Sequence, residues 1–191
     1  MILSFLTQIN GKPTLFPEKI ITGLFKNNII SRDKAVELFY PQTLTEIIPM
    51  EYHGFKGNVE ISKIKFDNSI DHRPKIHTIR EDKANRWKPG VMIDFFINTR
   101  KPDMFRFAPK IQVASIQSIE IKFISIWNSN SLYAQPCVKI DGKIIYDVAK
   151  NGKEDMLKLA QNDGFESIDA FFSYFNKDFT GKIIHWTNLK Y

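Results

Sequence analysis

The chain has 191 residues, 27 Lys and Arg against 21 Asp and Glu, and a formal net charge of +6. At 43% hydrophobic and 25% charged it has the composition of an ordinary folded protein, which excludes a disordered tail or a collagen-like rod and suits one domain, with or without an insertion. A lone cysteine, Cys137, cannot close an intramolecular disulfide, and no run of about 18 apolar residues marks a membrane span, so a reducing, cytoplasmic protein without membrane contact is expected.

The start, Met1 to Pro13, has an apolar patch but no basic leader, and polar residues break it quickly; it reads as a first β-strand and not as a signal peptide. Phe16, Ile20 and Leu24 recur at spacings of four, with Ile21 and Phe25 beside them, which predicts an amphipathic helix over residues 15–26. Pro17 is tolerated there because it lies in the first turn. Ser31 caps a second predicted helix carrying Ala35, Val36 and Phe39, and Pro41 stops it at Tyr40. A short helical piece is expected over 43–48. Val59 and Ile61, then Ile64 and Phe66, alternate in two phases, as in a strand with a bulge near Lys63.

Pro74 resets the chain before a short strand from Ile76 to Arg80. Trp87-Lys88-Pro89-Gly90 is a turn. Val91 to Asn98 and Ile111 to Trp127 are rich in Ile, Val and Phe and read as strands, the second too long to be straight. Asp141-Gly142 supplies the positive-φ pair that a two-residue hairpin turn demands, so Lys139 to Ile144 is a β-hairpin. Two helices follow, Glu154 to Gln161 ended by Gly164 and a second opened by Ser167, and Gly181 opens a last strand, Lys182 to Leu189. Strands and helices do not alternate as βαβ units would. The expected fold class is α+β, a mixed and mostly antiparallel sheet or small barrel with peripheral helices.

Whole classes of chemistry lack their signatures: there is no phosphate-binding Gly-rich loop, Gly-x-Ser-x-Gly elbow or His-Glu-x-x-His. His53, His72, His77 and His185 show no metal-ligand spacing to one another or to Cys137, so no metal is expected; His185, between Ile184 and Trp186, reads as a structural strand residue. The excess positive charge is local. Residues 71–110 hold 10 basic and 5 acidic side chains, whereas 1–70 hold 8 and 7 and 111–191 hold 9 and 9. Such a stretch either attracts an anion or is a solvated face.

Within it stands Lys75-Ile76-His77-Thr78-Ile79-Arg80. On a strand Thr78 and Arg80 share one face and His77 and Ile79 the other; Lys75 converges on Thr78 only from the strand's entrance, where Pro74 bends the chain. A Thr hydroxyl needs a nearby base, and a Lys serves as one only if burial or a neighbouring cation such as Arg80 lowers its pKa; Arg80 can also hold an anionic or carbonyl oxygen. The alternative is an ordinary strand with exposed Lys and Arg.

The Lys75-x-x-Thr78-x-Arg80 motif with its turn at Lys88-Pro89-Gly90, the first strand and helix ending near Gly23, and the Ala160-x-x-Asp163-Gly164-Phe165 helix end resemble the ASCH family of the PUA-like superfamily. The Phe-rich helix through Phe171 and Tyr174 and the closing strand with Ile184 and Trp186 complete the likeness, which covers residues 1–26 and 75–191. The resemblance implies a single PUA-like domain over 1–191, a β-barrel with flanking helices, and a cleft that accepts RNA or a modified nucleoside. Some small ASCH proteins are amidohydrolases that deacylate N4-acetylcytidine, without a cofactor. Carried over, Lys75 is the base, Thr78 the nucleophile, Arg80 a substrate or oxyanion contact and Asp163 the acid-base carboxylate. Other members are regarded as RNA-binding modules or nucleases. This sequence departs in two places: residues 27–74 are an inserted helical and strand segment, and Asp163 stands where the deacetylating members have the longer Glu. Asp163 also reads as a plain polar residue at a helix end.

A second reading needs no catalysis. Basic and aromatic residues interleave in Arg80, Arg86, Trp87 and Lys88, and again in Arg100, Lys101, Phe105, Arg106, Phe107 and Lys110, so that cations can follow a phosphate backbone while a ring stacks on a base. Trp87, in a turn, is the better stacking candidate; one of Phe105 and Phe107 is expected to be core. A protein-interaction module is a third possibility that no residue pattern favours.

Overall fold

The computed structural model describes residues 1–39, 72–128, 131–147 and 151–191. The predicted helical piece at 43–48 and the bulged strand at 59–66 lie outside them. The chain divides into two compact units, one of Ile76–Ile93 and Lys110–Tyr191 with Met1, the other of Ile2–Lys75 and Asp94–Pro109. The fold is mixed α+β with mostly antiparallel pairing.

The first unit is built on a five-stranded antiparallel sheet. Its strands, in spatial order, are β10 (Lys143–Tyr146), β9 (Ser131–Ile140), β8 (Ser115–Asn128), β11 (Phe179–His185) and β4 (His77–Arg80). Among the described residues β10 and β4 are the outermost strands of this sheet. Register explains its core: Ile79 faces Ile183, Ile119 faces Ile140 and Ile121 faces Val138, and all six are buried. Directly paired residues share a face, so this ladder is one apolar surface, while Glu120 and Lys122 alternate outward. Helices α3 (Lys153–Asn162) and α4 (Ile168–Tyr174) contribute the buried Met156, Leu159 and Phe171, and Phe172 of α4 meets Phe123 of β8 edge to face.

Local chemistry sets these boundaries. Asp141 and Gly142 both have positive φ, 48° and 79°, as the β9–β10 turn requires. Ser167 accepts the Ala170 N–H and caps α4. The predicted long strand from Ile111 is two: β7 (Ile111–Gln112) pairs with Met92 and Ile93 of β5 (Met92–Ile97), and β8 begins at Ser115. The break lies where consecutive amides serve different partners, Val113 N–H bonding Val91 O and Ala114 N–H bonding His185 O. The last strand also starts earlier than predicted, because Gly181 lies within β11: a Cβ there would meet Arg80 O at 2.5 Å. Only the missing side chain lets β4 and β11 approach.

In the second unit, β1 (Ile2–Phe5) runs parallel to Asp94–Ile97 of β5, and β6 (Phe105–Arg106) is antiparallel on the other side. Phe5, Phe95 and Phe107 form an aromatic cluster with centroids 5.8–5.9 Å apart. A small hairpin of β2 (Gln8–Ile9) and β3 (Lys12–Pro13) leads into α1 (Phe16–Lys26), whose Ile20, Ile21 and Leu24 are buried as their spacing predicted. Helix α2 (Arg32–Phe39) packs Ala35 and Val36 against Ile21 and Phe25 of α1, and its Lys34 N–H is capped by Ser31. No described helix is long and apolar enough to cross a membrane.

Candidate functional site

Strand β4 carries the Thr78 and Arg80 of the sequence motif. Cross-strand register sets Thr78 beside Ile184 and Arg80 beside Lys182 on one face, and His77 beside His185 and Ile79 beside Ile183 on the other. The alternation predicted for this motif is therefore present. Thr78 is 2% exposed and Arg80 is partly exposed.

Asp163 reaches the same strand from α3. That helix ends at Asp163, whose N–H still bonds Leu159 O, and Gly164 takes φ 93° so that the chain can turn away. The Asn162 carbonyl accepts the Ile76 N–H at 3.0 Å, tying the helix end to the entrance of β4. From this anchored position Asp163 Oδ1 accepts the backbone N–H of Ile79 at 3.2 Å. The carboxylate, 4% exposed, thus lies against the residue that follows Thr78. It is also 3.6 Å from His77 Nδ1.

Around His77 the structure gathers polar side chains that the sequence did not single out. His77 Nε2 and Tyr191 Oη are 2.7 Å apart, and Asn162 Nδ2 donates to the same phenol at 2.9 Å. Tyr191 is fixed in turn by Gln117, which accepts the Tyr191 N–H and donates to its carbonyl. The His185 ring lies 5.3 Å from that of His77, wholly buried, with neither ring nitrogen hydrogen-bonded. Burial and the neighbouring His77 hold the His185 pKa down at about 3 from its ordinary 6.5. Burial pushes the Tyr191 phenol well above its ordinary 10. His77 was recognisable in sequence only as the residue facing away from Thr78; nothing local links it to positions 163 and 191.

Lys75 belongs to the second unit. Its N–H bonds Lys19 O at 2.9 Å, and its ammonium is buried over the rings of Phe16 and Phe5, 4.8 Å and 6.0 Å from their centroids. An ammonium over aromatic faces is stabilised by their quadrupoles, which offsets part of the cost of burying it.

The loop after β4 corrects one expectation. Trp87 is 7% exposed and offers no open face to a base. The cause is Asp82, which accepts the N–H groups of Arg86 and Trp87 at 2.9 Å each and pairs with Lys182 at 3.0 Å. Lys182 also donates to Trp87 O and to Asn85 Oδ1, so the loop is folded back upon its own unit. Burial raises the Asp82 pKa, but the two amides and the ammonium outweigh it, and the carboxyl titrates below its usual range. Arg86 and Lys88 remain exposed.

In the second unit the hairpin of β5 and β6 presents an open ring. Phe105 is 53% exposed while Phe107 is buried, so one of the two is core as expected. Arg106 lies over the Phe96 ring, 5.3 Å from its centroid, and grips Asp94 through two nitrogens. Arg100 and Lys101 of the same unit are exposed, and Lys110, with which the first unit resumes, is exposed as well. Among the described residues no group of three or more His, Cys, Asp and Glu could hold a metal ion.

Comparison with known proteins adds no relative: no family model, no curated protein and no solved structure matches this chain.

Proposed function

We propose that this chain is an ASCH-type, PUA-like protein that binds RNA or a modified nucleoside and hydrolyses the amide of an N4-acylated cytidine. The observation that supports the chemistry best is the Asp163 carboxylate seated on the amide of Ile79, next to Thr78. On this reading Thr78 Oγ attacks the acyl carbon and gives up its proton to a base, a role that only the family resemblance implies for Lys75, whose ammonium lies over Phe16 and Phe5 in its own unit. The bond from carbon to N4 breaks as the leaving nitrogen takes up the proton lost by Thr78, relayed through the Asp163 carboxylate, and water then releases the acyl group as a carboxylic acid. Arg80, Arg86 and Lys88 are the proposed contacts to the substrate's oxygens or phosphates. Thr78 and Asp163 lie beneath the surface, so a nucleoside reaches them only after the residues above them move. Incubation of the pure protein with N4-acetylcytidine tests the proposal: free cytidine is expected, and turnover unchanged in Thr78→Ala would discard the nucleophile.

A second reading, an RNA-binding module without catalysis, draws on the exposed Phe105 and the cations Arg100, Lys101 and Arg106 of its unit. Its affinity for single-stranded RNA should fall steeply as salt rises, because neutralised phosphates release counterions. An affinity indifferent to salt would count against it.

A further inference from the structure

We infer that His77 is the positioning residue of Asp163: a neutral imidazole whose proton sits on Nδ1 and is turned toward the carboxylate. The direction of the proton follows from the donors. Asn162 Nδ2 can only donate, so the Tyr191 oxygen accepts from it at 2.9 Å. The phenolic proton is then left for the other close neighbour, His77 Nε2, at 2.7 Å. A nitrogen that accepts carries no proton, so the ring proton of a neutral His77 is on Nδ1, 3.6 Å from Asp163 Oδ1. Tyr191 and His77 thus point their donors toward the carboxylate, the last step being a 3.6 Å electrostatic contact beyond hydrogen-bond length, and the same carboxylate oxygen accepts the Ile79 N–H. The remaining titratable ring facing His77 is His185, which is buried and neutral, so no imidazolium competes for the carboxylate from that side.

Gln117 locks the backbone of Tyr191, and α3 locks Asn162, so both are fixed by secondary structure. A carboxylate bonded to the Ile79 amide and faced at 3.6 Å by an imidazole N–H is biased toward one orientation relative to β4, and orientation is what an acid-base group must have before it meets a substrate. The catalytic meaning of this rests on the proposed hydrolysis; the proton's location does not.

The test is therefore in two parts. Long-range ¹H–¹⁵N NMR of the full chain near neutral pH, with His77 assigned through His77→Gln, should show a protonated Nδ1 and a bare Nε2, the reverse of the tautomer that free histidine prefers. Tyr191→Phe, which frees Nε2, should shift that population toward Nε2–H. A wild-type protein with Nε2 protonated, or with an imidazolium, would overturn the inference whatever the folding of the variants. In turnover of N4-acetylcytidine, His77→Leu should lower kcat about tenfold or more with KM little changed. His77→Asn, which restores a donor near the Nδ1 position, should recover most of it; equal losses in both would overturn the positioning role. A wild type with no turnover would remove the hydrolase reading and leave the NMR result to decide the assignment.

Discussion

Asp163 Oδ1 receives the main-chain N–H of Ile79 at 3.2 Å, so the carboxylate that ends helix α3 also ties that helix to strand β4. One side chain therefore joins a structural duty to the proposed chemical one, and the two can be separated by substitution. Asp163→Ala leaves a buried amide without an acceptor, and should cost about 2 kcal/mol in urea unfolding. Asp163→Asn keeps an oxygen in place and should cost less than about 1 kcal/mol. Equal stability of the alanine variant and the wild type would show that the bond contributes nothing to the fold.

His185 makes stability depend on pH in a definite direction. Its pKa is about 3 in the folded protein and 6.5 ordinarily, so the unfolded chain binds more protons between these values. Stability is full above about pH 6.5 and is lost as pH falls toward 3, at up to about 1.4 kcal/mol per pH unit. His185→Leu should flatten that part of the profile, measured as the urea midpoint between pH 7 and pH 4. A slope unchanged by the substitution would assign the acid sensitivity elsewhere.

Asp82 holds Trp87 inside the loop by its two amide bonds and its pair with Lys182. In Asp82→Ala the loop loses these anchors, and tryptophan emission should shift to the red and become more open to iodide quenching. The loss of stability should be about 2 kcal/mol, as for other buried charge-assisted networks broken on one side. Emission identical to the wild type would mean that the indole is held by packing alone.

Gly181→Ala sets a methyl group against Arg80 O, at 2.5 Å before any relaxation. The expected outcome is a destabilisation of about 1–3 kcal/mol. Faster hydrogen exchange along β4 and β11 should accompany it, since the two strands must part. Wild-type exchange would show that the strands can separate there without cost.

Phe105 is the exposed ring within the two stretches of interleaved basic and aromatic residues once Trp87 is accounted for. If single-stranded RNA binds, Phe105→Ala should weaken it by about 1–3 kcal/mol, whereas Arg100→Ala and Lys101→Ala should each lower the dependence of log K on log salt by about one. An affinity insensitive to Phe105 would place the nucleic acid elsewhere.

What was legible in the sequence was local or periodic. Asp141-Gly142 states its turn outright because few residues adopt positive φ, and Ser167 states its helix start because a hydroxyl at that position satisfies an orphan amide. The alternation of His77, Thr78, Ile79 and Arg80 followed from strand geometry and was found as expected. What depended on distant partners was not legible. Trp87 looked exposed because it lies in a turn, yet Lys182, almost a hundred positions away, helps to draw it in. The break between β7 and β8 depends on Val91 and His185, and the gathering of His77, Asn162, Asp163 and Tyr191 depends on the pairing of β4 with β11 and on where α3 ends. None of these leaves a mark within a window of a few residues.

The most direct measurement is a time course of cytidine released from N4-acetylcytidine by the wild type, Thr78→Ala and Asp163→Asn, each first shown to be folded. The account predicts stoichiometric cytidine and acetate from the wild type, and losses of about a hundredfold or more in kcat for both variants. No release by the folded wild type, or release at the same rate by Thr78→Ala, would contradict it.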